Sequence, residues 1–317
     1  MKILITGVHG YVGSYLVEAL KDDHVIYGLD IFSQKNDGIE NTFHWIALDE
    51  LEGMELGAII HLDNYSHNSK SKNAPYVPLD ERADYTRKIF DYFLASDAKK
   101  FIFMSSTKAV ADKGADEKLK EDTILAPGDS FGMSKLASEN YILSKQAEWE
   151  ARGKEVYILR PCVVHGPGSK GSLNIVYNVA RRGLPWPVGN FRNEHSFTYI
   201  DNLCMVVKSL ISQPIASGIY HVADDETVSV VELVKIICSG AGKKARIWHF
   251  KKETMETLAK IGDVFHLPLN TRRLLKLTQN FVVDNAKIKA ALGIEYMPVR
   301  AKEGLERTIR SLGIKKV

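Results

Sequence analysis

The sequence predicts an α/β fold, a doubly wound parallel sheet with a smaller, interleaved C-terminal α/β unit. Three observations carry that expectation. The chain opens on a strand, a glycine-punctuated turn and an amphipathic segment; short apolar runs then alternate with helical patterns to about residue 165; and from residue 166 Gly and Pro become frequent. Strands alternating with helices imply parallel pairing, because each crossover helix returns the chain to the same end of the sheet.

Lys2 to Thr6 is a short Ile- and Leu-rich run of strand length, followed by Gly7, Gly10 and Gly13 and then by Val12, Leu16, Ala19 and Leu20 at helical spacing. Strand, glycine turn and helix in that order are what a dinucleotide site needs. Gly7 permits the tight turn, Gly10 lets the backbone approach a pyrophosphate, and Gly13 lets the helix pack closely on the strand. His24 to Ile31 reads as the second strand, with Asp30 near its end, 17 residues past Gly13. A carboxylate there accepts hydrogen bonds from the adenosine-ribose hydroxyls and repels a 2′-phosphate, which favours NAD over NADP.

Phe43 to Leu48, Ala58 to Leu62, Phe101 to Met104 and Val156 to Leu159 read as the next four strands. Asp80 to Ala95 and Ser134 to Trp149 carry apolar residues at helical spacing. Residues 110 to 129 have the composition of an exposed loop. Beyond 166, Leu173 to Arg182, Val228 to Ser239, Asn285 to Leu292 and Arg300 to Leu312 are helix candidates, and Phe197 to Ile200 and Ile219 to Val222 are strands that return to the main sheet. The expected division is a dinucleotide-binding domain over 1–165, rejoined by 197–224, and a substrate-binding domain over 166–317, mainly 166–196 and 225–317.

The 317 residues carry 42 Lys and Arg against 39 Asp and Glu, a net charge of +3 that argues for neither nucleic acid nor a membrane as partner. The Lys and Arg scattered near 243 to 276 read as a solvated face. Cys162, Cys204 and Cys238 are widely spaced and suit buried thiols in a reducing compartment. His44, His61 and His67 share no metal-ligand spacing, and no metal is expected. No apolar run approaches the roughly 18 residues of a membrane span. The N-terminal apolar run breaks at Gly7, too soon for a signal-peptide core. A cytoplasmic location is expected.

Taken together, several motifs give the chain a family resemblance along its whole length. They are Thr6-Gly7-x-x-Gly10-x-x-Gly13, Asp30, Ile60-His61-Leu62, Ser105-Ser106, Ser134-Lys135-Leu136-Ala137-Ser138-Glu139, Arg160-Pro161, Gly166-Pro167-Gly168, the run from Ser196 to Asn202, and Leu292-Gly293. The chain resembles the extended short-chain dehydrogenase/reductase superfamily, in particular its NAD-dependent nucleotide-sugar epimerase/dehydratase branch. The resemblance implies a Rossmann-type fold, NAD as cofactor and a homodimer that pairs two helices from each subunit. It also implies cofactor contacts at Gly7, His9, Gly10, Tyr11, Val12, Gly13, Asp30, Ile31, Asp49, Leu62 and Lys135.

The family's reaction uses a Ser or Thr hydroxyl with a Tyr-x-x-x-Lys pair. The tyrosinate removes a sugar hydroxyl proton as hydride leaves, and the lysine lowers the phenol's pKa from about 10. By resemblance the lysine is Lys135 and the hydroxyl Ser106, with Thr107 beside it. The tyrosine position holds Phe131, which has no ionisable group. Three readings stay open: Ser106, Thr107, Lys108 or a water moves the proton; the phenylalanine is an introduced replacement that stalls turnover; or the chain is a catalytically silent NAD and nucleotide-sugar binder.

Where the family carries a diphosphate-gripping Arg, this chain has His195, with Arg192 three residues earlier offering a planar fork for phosphate oxygens. His195 would assist if protonated. His165 replaces the family's aromatic after the Arg-Pro strand, so the implied substrate contacts are Ser106, His165, Arg192 and His195. The stretch Arg160 to Asn202 is most similar to bacterial proteins acting on UDP-N-acetylhexosamines in surface-polysaccharide synthesis. The expected activity is C4 epimerisation of a UDP-(N-acetyl)hexose through a transient 4-keto sugar, with 4-keto-hexose reduction as the alternative.

Overall fold

The computed structural model describes residues 1–31, 36–45, 47–62, 79–111, 117–169, 189–265 and 270–313, together with 173, 177, 178, 182, 183 and 185–187. Seven parallel strands make the main sheet: β1 (Lys2–Thr6), β2 (Val25–Asp30), β3 (Asn41–His44), β4 (Ala58–His61), β5 (Lys100–Met104), β6 (Glu155–Pro161) and β9 (Gly218–Val222). Their order is β3-β2-β1-β4-β5-β6-β9. A further pair, β7 (Val163–His165) and β8 (Phe197–Tyr199), forms a separate two-stranded sheet.

The strands are apolar without interruption because both faces of the sheet are covered. Ile3, Ile5, Ile60, Ile102 and Leu159 point to a layer made by α1 (Tyr11–Leu20) and α5 (Ile200–Ser212). The alternate residues, Leu4, Ile59, Phe101, Phe103 and Ile158, point to α2 (Leu79–Ala95) and α3 (Ser130–Ser144). A short α4 (Gln146–Ala151) follows α3. A second core gathers Phe197 of β8 with α6 (Val230–Gly240), α7 (Lys252–Val264), α8 (Thr271–Thr278) and α10 (Ala301–Gly313), while α9 (Ala286–Leu292) packs beside β9.

The structure shifts several expected elements. The third strand is Asn41–His44 rather than Phe43 to Leu48, since it pairs from Tyr27 and ends where its partner β2 ends, at Asp30. Only one of the two late strands joins the main sheet: β9 pairs with β6, whereas Phe197–Tyr199 pairs with Val163–His165. The helix expected over Ser134 to Trp149 starts earlier, at Ser130, because the Asp129 carboxylate caps it by accepting from the Gly132 amide at 2.8 Å, and it breaks at Lys145. Within 110 to 129, Val110 and Leu119 are buried with Cys162, Ala223 and Val283, so this stretch is not wholly an exposed loop. The helix expected over Leu173 to Arg182 lies for the most part outside the described residues.

Candidate active site

Strand order reverses about β1, which sits between β2 and β4, so the carboxyl ends of these strands flank a crevice at the switch point. Gly7, at φ 74°, makes the turn out of β1. A Cβ on Gly13 would lie 2.2 Å from the Gly7 carbonyl oxygen and 2.6 Å from that of Val8, so only glycine lets α1 sit this close to the turn. No side chain caps α1 and its first turn holds no acidic residue. The amides of Tyr11, Val12 and Gly13 and the positive end of the helix dipole are therefore disposed for an anion.

Asp30 closes the other side of this turn. Its carboxylate accepts the His9 amide at 3.0 Å and the Ile31 amide at 2.7 Å, and the residue is only 4% exposed. The His9 ring is held by Asn36 at 3.0 Å. Asp49 is exposed at the start of a short helical turn beyond β3. At the end of β4, His61 is fully buried, with Nδ1 2.8 Å from Thr6 Oγ1 and Nε2 3.0 Å from Thr86 Oγ1. The Leu62 amide donates to Thr6 Oγ1 at 3.1 Å. This chain of contacts ties β1, β4 and α2 together directly beneath the crevice. A glycine cradle, an uncapped helix start and a carboxylate at the second strand fit a dinucleotide.

Ser106 lies just past the carboxyl end of β5, and Lys135 reaches from α3 to Met104, the last residue of that strand. Ser106 is half-buried and extended, and its hydroxyl accepts the Lys108 amide at 3.2 Å. Phe131 and Lys135, one turn apart on α3, lie on the same side, with Lys135 Nζ 5.8 Å from the Phe131 ring centre and 4.9 Å from that of Phe103. Lys135 is 3% exposed and donates to the Met104 carbonyl at 2.6 Å. Asp129 also takes Lys108 Nζ at 2.5 Å. A Cβ on Gly132 would meet the Lys108 carbonyl oxygen at 2.2 Å, which shows how closely α3 approaches the Ser106 turn. Thr107 is buried, its hydroxyl donating to the Pro161 carbonyl at 3.3 Å.

Sequence reading found Glu139 and Arg160 only as motif members. They form a buried fork: Arg160 Nη2 donates to Glu139 at 2.6 Å and Nε at 3.0 Å, with side chains 1–2% exposed, and the Ser105 hydroxyl donates to the same carboxylate. This pair fixes the end of β6 and the Ser105-Ser106 turn against α3.

The substrate-side expectations fare unevenly. Arg192 is exposed beside the second core. His195 is bound into the backbone, exchanging amide bonds with Val228 at 3.1 and 2.9 Å. Burial pushes its pKa below the ordinary imidazole value, which favours the neutral ring. His165 is fully enclosed: Nδ1 lies 2.9 Å from Thr308 Oγ1, Nε2 3.6 Å from Asp224, and the rings of Phe197 and Tyr199 pack against it. The structure thus places His165 as a buried wedge between β7 and α10.

The chain is similar to known proteins along most of its length. The family model described as NAD dependent epimerase/dehydratase matches residues 3–223, more than half of the chain. The chain belongs to that family. It is therefore an NAD-dependent epimerase/dehydratase family member, within the extended short-chain dehydrogenase/reductase superfamily. It is 26% identical to a UDP-glucose 4-epimerase of Vibrio cholerae over 98% of this chain and 94% of that one. It is 24% identical to a dTDP-4-dehydro-6-deoxyglucose reductase of Escherichia coli, over 77% and 83% of the two chains. The crystal structure of UDP-N-acetylglucosamine 4-epimerase from Bacillus cereus superposes with a TM-score of 0.73 at 18% identity, covering 99% of each chain. Among the described residues no helix is long and apolar enough to cross a membrane.

Proposed function

We propose that this family member epimerises a UDP-(N-acetyl)hexose at C4 by transient oxidation to the 4-keto sugar, in the cytoplasm, for surface-polysaccharide precursors. The observation that carries the reading is the gathering of Ser106 and Lys135 about the position where the family's phenol stands, beside a crevice suited to a dinucleotide. The proposed division of labour places cofactor in the 1–165 domain and the sugar nucleotide against 166–196 and 225–317. The cofactor, when bound, supplies hydride acceptance and return at the sugar C4. Lys135, anchored on the Met104 carbonyl, brings a positive charge next to the reacting oxygen, and Ser106 orients that oxygen by hydrogen bonding. Arg192, with neutral His195 as a donor, faces the diphosphate. A proton must leave the C4 hydroxyl in the same step, and Phe131 cannot accept it.

That gap supports a second reading, a catalytically silent binder of NAD and nucleotide sugar. The relationship to a 4-keto-sugar reductase supports a third, in which the oxidised cofactor is released each turnover. Phe131→Tyr separates them. In a site that lacks only its phenol, the substitution raises C4 epimerase or 4-keto-reductase turnover about 10²-fold or more, with NAD and nucleotide-sugar affinities unchanged. Unchanged turnover, with Lys135→Ala inactive, assigns the proton to another group. No turnover by either protein, with NAD still bound, establishes the silent binder.

A further inference from the structure

We infer that the segment from Lys243 to Phe265 is a peripheral docking surface for an anionic lipid bilayer. Charge is the first observation. Residues 243–265 hold six Lys and Arg against three Asp and Glu, a local +3 equal to the net charge of the whole chain. The remainder of the chain is therefore balanced, and the excess positive charge is concentrated here. Within this stretch, residues 243–252 (Lys-Lys-Ala-Arg-Ile-Trp-His-Phe-Lys-Lys) contain five cations and no acid, and all five are exposed.

Apolar exposure is the second, and it is independent of the first. Trp248 is 53% exposed and stands edge-on to the exposed Phe250, ring centres 5.8 Å apart. Immediately after them, α7 turns Met255, Ala259 and Gly262 inward to the second core. Its outer surface divides in two. Lys252, Glu256, Lys260 and Asp263 recur every three or four residues along one side, and Leu258, Ile261 and Phe265 along the other. The apolar side is 43%, 44% and 69% exposed at those three positions, with Val264 beside it at 71%. The neighbouring α8, capped by Asp263 through the Thr271 hydroxyl and amide, adds Leu275 at 42%. A helix whose outer surface splits into apolar and charged halves, preceded by a Lys-, Arg- and aromatic-rich run, matches the water–lipid boundary. Cations are drawn to the negative leaflet, and Trp, Phe, Leu and Ile side chains enter the acyl edge.

Two other partners fit less well. A nucleic acid would meet the cations but has no use for Leu258, Ile261, Val264 and Phe265. A second copy joined about a two-fold axis through this patch would set the cationic run against itself. The inference goes beyond the proposed reaction and does not depend on it, since lipid binding is read without turnover.

The test is sedimentation of the full chain with vesicles of phosphatidylcholine alone or with about one-quarter phosphatidylglycerol. Expected is binding at least tenfold tighter to the anionic vesicles, a blue shift of tryptophan emission on binding, and loss of most of the affinity at about 0.5 M salt. The combined Lys243→Glu, Lys244→Glu and Lys251→Glu substitutions should weaken binding about tenfold or more. Ile261→Ser with Phe265→Ser should leave a weak, wholly salt-sensitive attachment. All five side chains are exposed, so melting temperature and the thermal shift with NAD should stay at wild-type values. Equal affinity for the two vesicles overturns the inference, as does unchanged binding by the charge-reversed protein. A fall in mass by light scattering for the Ile261→Ser, Phe265→Ser protein, with vesicle binding intact, would make the surface a contact between copies. Tighter binding to duplex DNA than to anionic vesicles would make it a nucleic-acid surface.

Discussion

Asp30 concentrates the cofactor question in one carboxylate. Its two oxygens each accept a backbone amide, from His9 and Ile31, which holds the group rigidly at the crevice with lone pairs still directed outward. A ribose 2′-hydroxyl can donate to such a group, whereas a 2′-phosphate would bring like charge within a few ångströms of it. At an effective dielectric near 20 that repulsion amounts to about 4 kcal/mol per charge pair at 4 Å, before screening. Calorimetry should therefore show NAD(H) bound at least tenfold more tightly than NADP(H), and Asp30→Ala should remove most of that preference. Tighter NADP(H) binding by the unaltered chain would reverse the assignment. Phe131 poses the complementary problem. Its neighbourhood is that of an acid–base residue, with Lys135 Nζ 5.8 Å from the ring centre, yet the ring carries nothing to titrate.

At the scale of elements, α3 organises the site, and the Glu139–Arg160 fork organises α3. Removing one partner leaves the other charge buried and uncompensated, at a cost of about 3–5 kcal/mol. Arg160→Met is expected to lower the free energy of unfolding by that amount and to weaken NAD binding, because Ser105 and the adjoining Ser106 turn lose their anchor on Glu139. An unfolding free energy within about 1 kcal/mol of wild type would show that the fork is dispensable. Sequence reading saw both motifs and not the bond between them. The reason is general: β1, β4, β5 and β6 are legible because a strand buried on both faces must be apolar throughout, a local property. Partner choice is not local. Phe197–Tyr199 is as apolar as β9, and only the path of the chain sends it to Val163–His165 in place of the main sheet. The surroundings of His165 are hidden for the same reason, since its partner Thr308 lies 143 residues away. The glycine turn and the place of Asp30 at the end of β2 are legible from spacing, whereas Ser106 and Lys135 stand out only through the family resemblance. The lowered pKa of His195 is not legible, because desolvation depends on what packs around it.

At the scale of the whole molecule, the flank of the sheet covered by α2 and α3 is where a second copy is expected to join. On the far side of the sheet from α1 and α5, α2 and α3 lie together, joined by the Tyr141 hydroxyl donating to Asp91 at 2.5 Å and by Arg87 over the Tyr141 ring at 5.5 Å. The outward side of α3 presents Met133, Ala137, Asn140 and Ser144, a stripe at helical spacing in which Met133 is 57% exposed and the other residues are small or polar. Such a stripe admits the close approach of a second helix, whereas the outward side of α2 offers Asp84, Arg87 and Lys88, which suit a charged rim. Two copies joined through α2 and α3 would make a four-helix bundle with a seam of mostly small side chains and a charged border. Light scattering at micromolar concentration should then give twice the 35.5 kDa of one chain. Ala137→Arg should halve that mass without changing the melting curve of the monomer, because the residue is exposed within a chain and enclosed only in the pair. Met133→Glu, at the start of the same stripe, should weaken the dimer less, since its longer side chain can swing to solvent. A single-chain mass for the unaltered protein would rule the bundle out, and an unchanged dimer in Ala137→Arg would move the seam elsewhere on the surface.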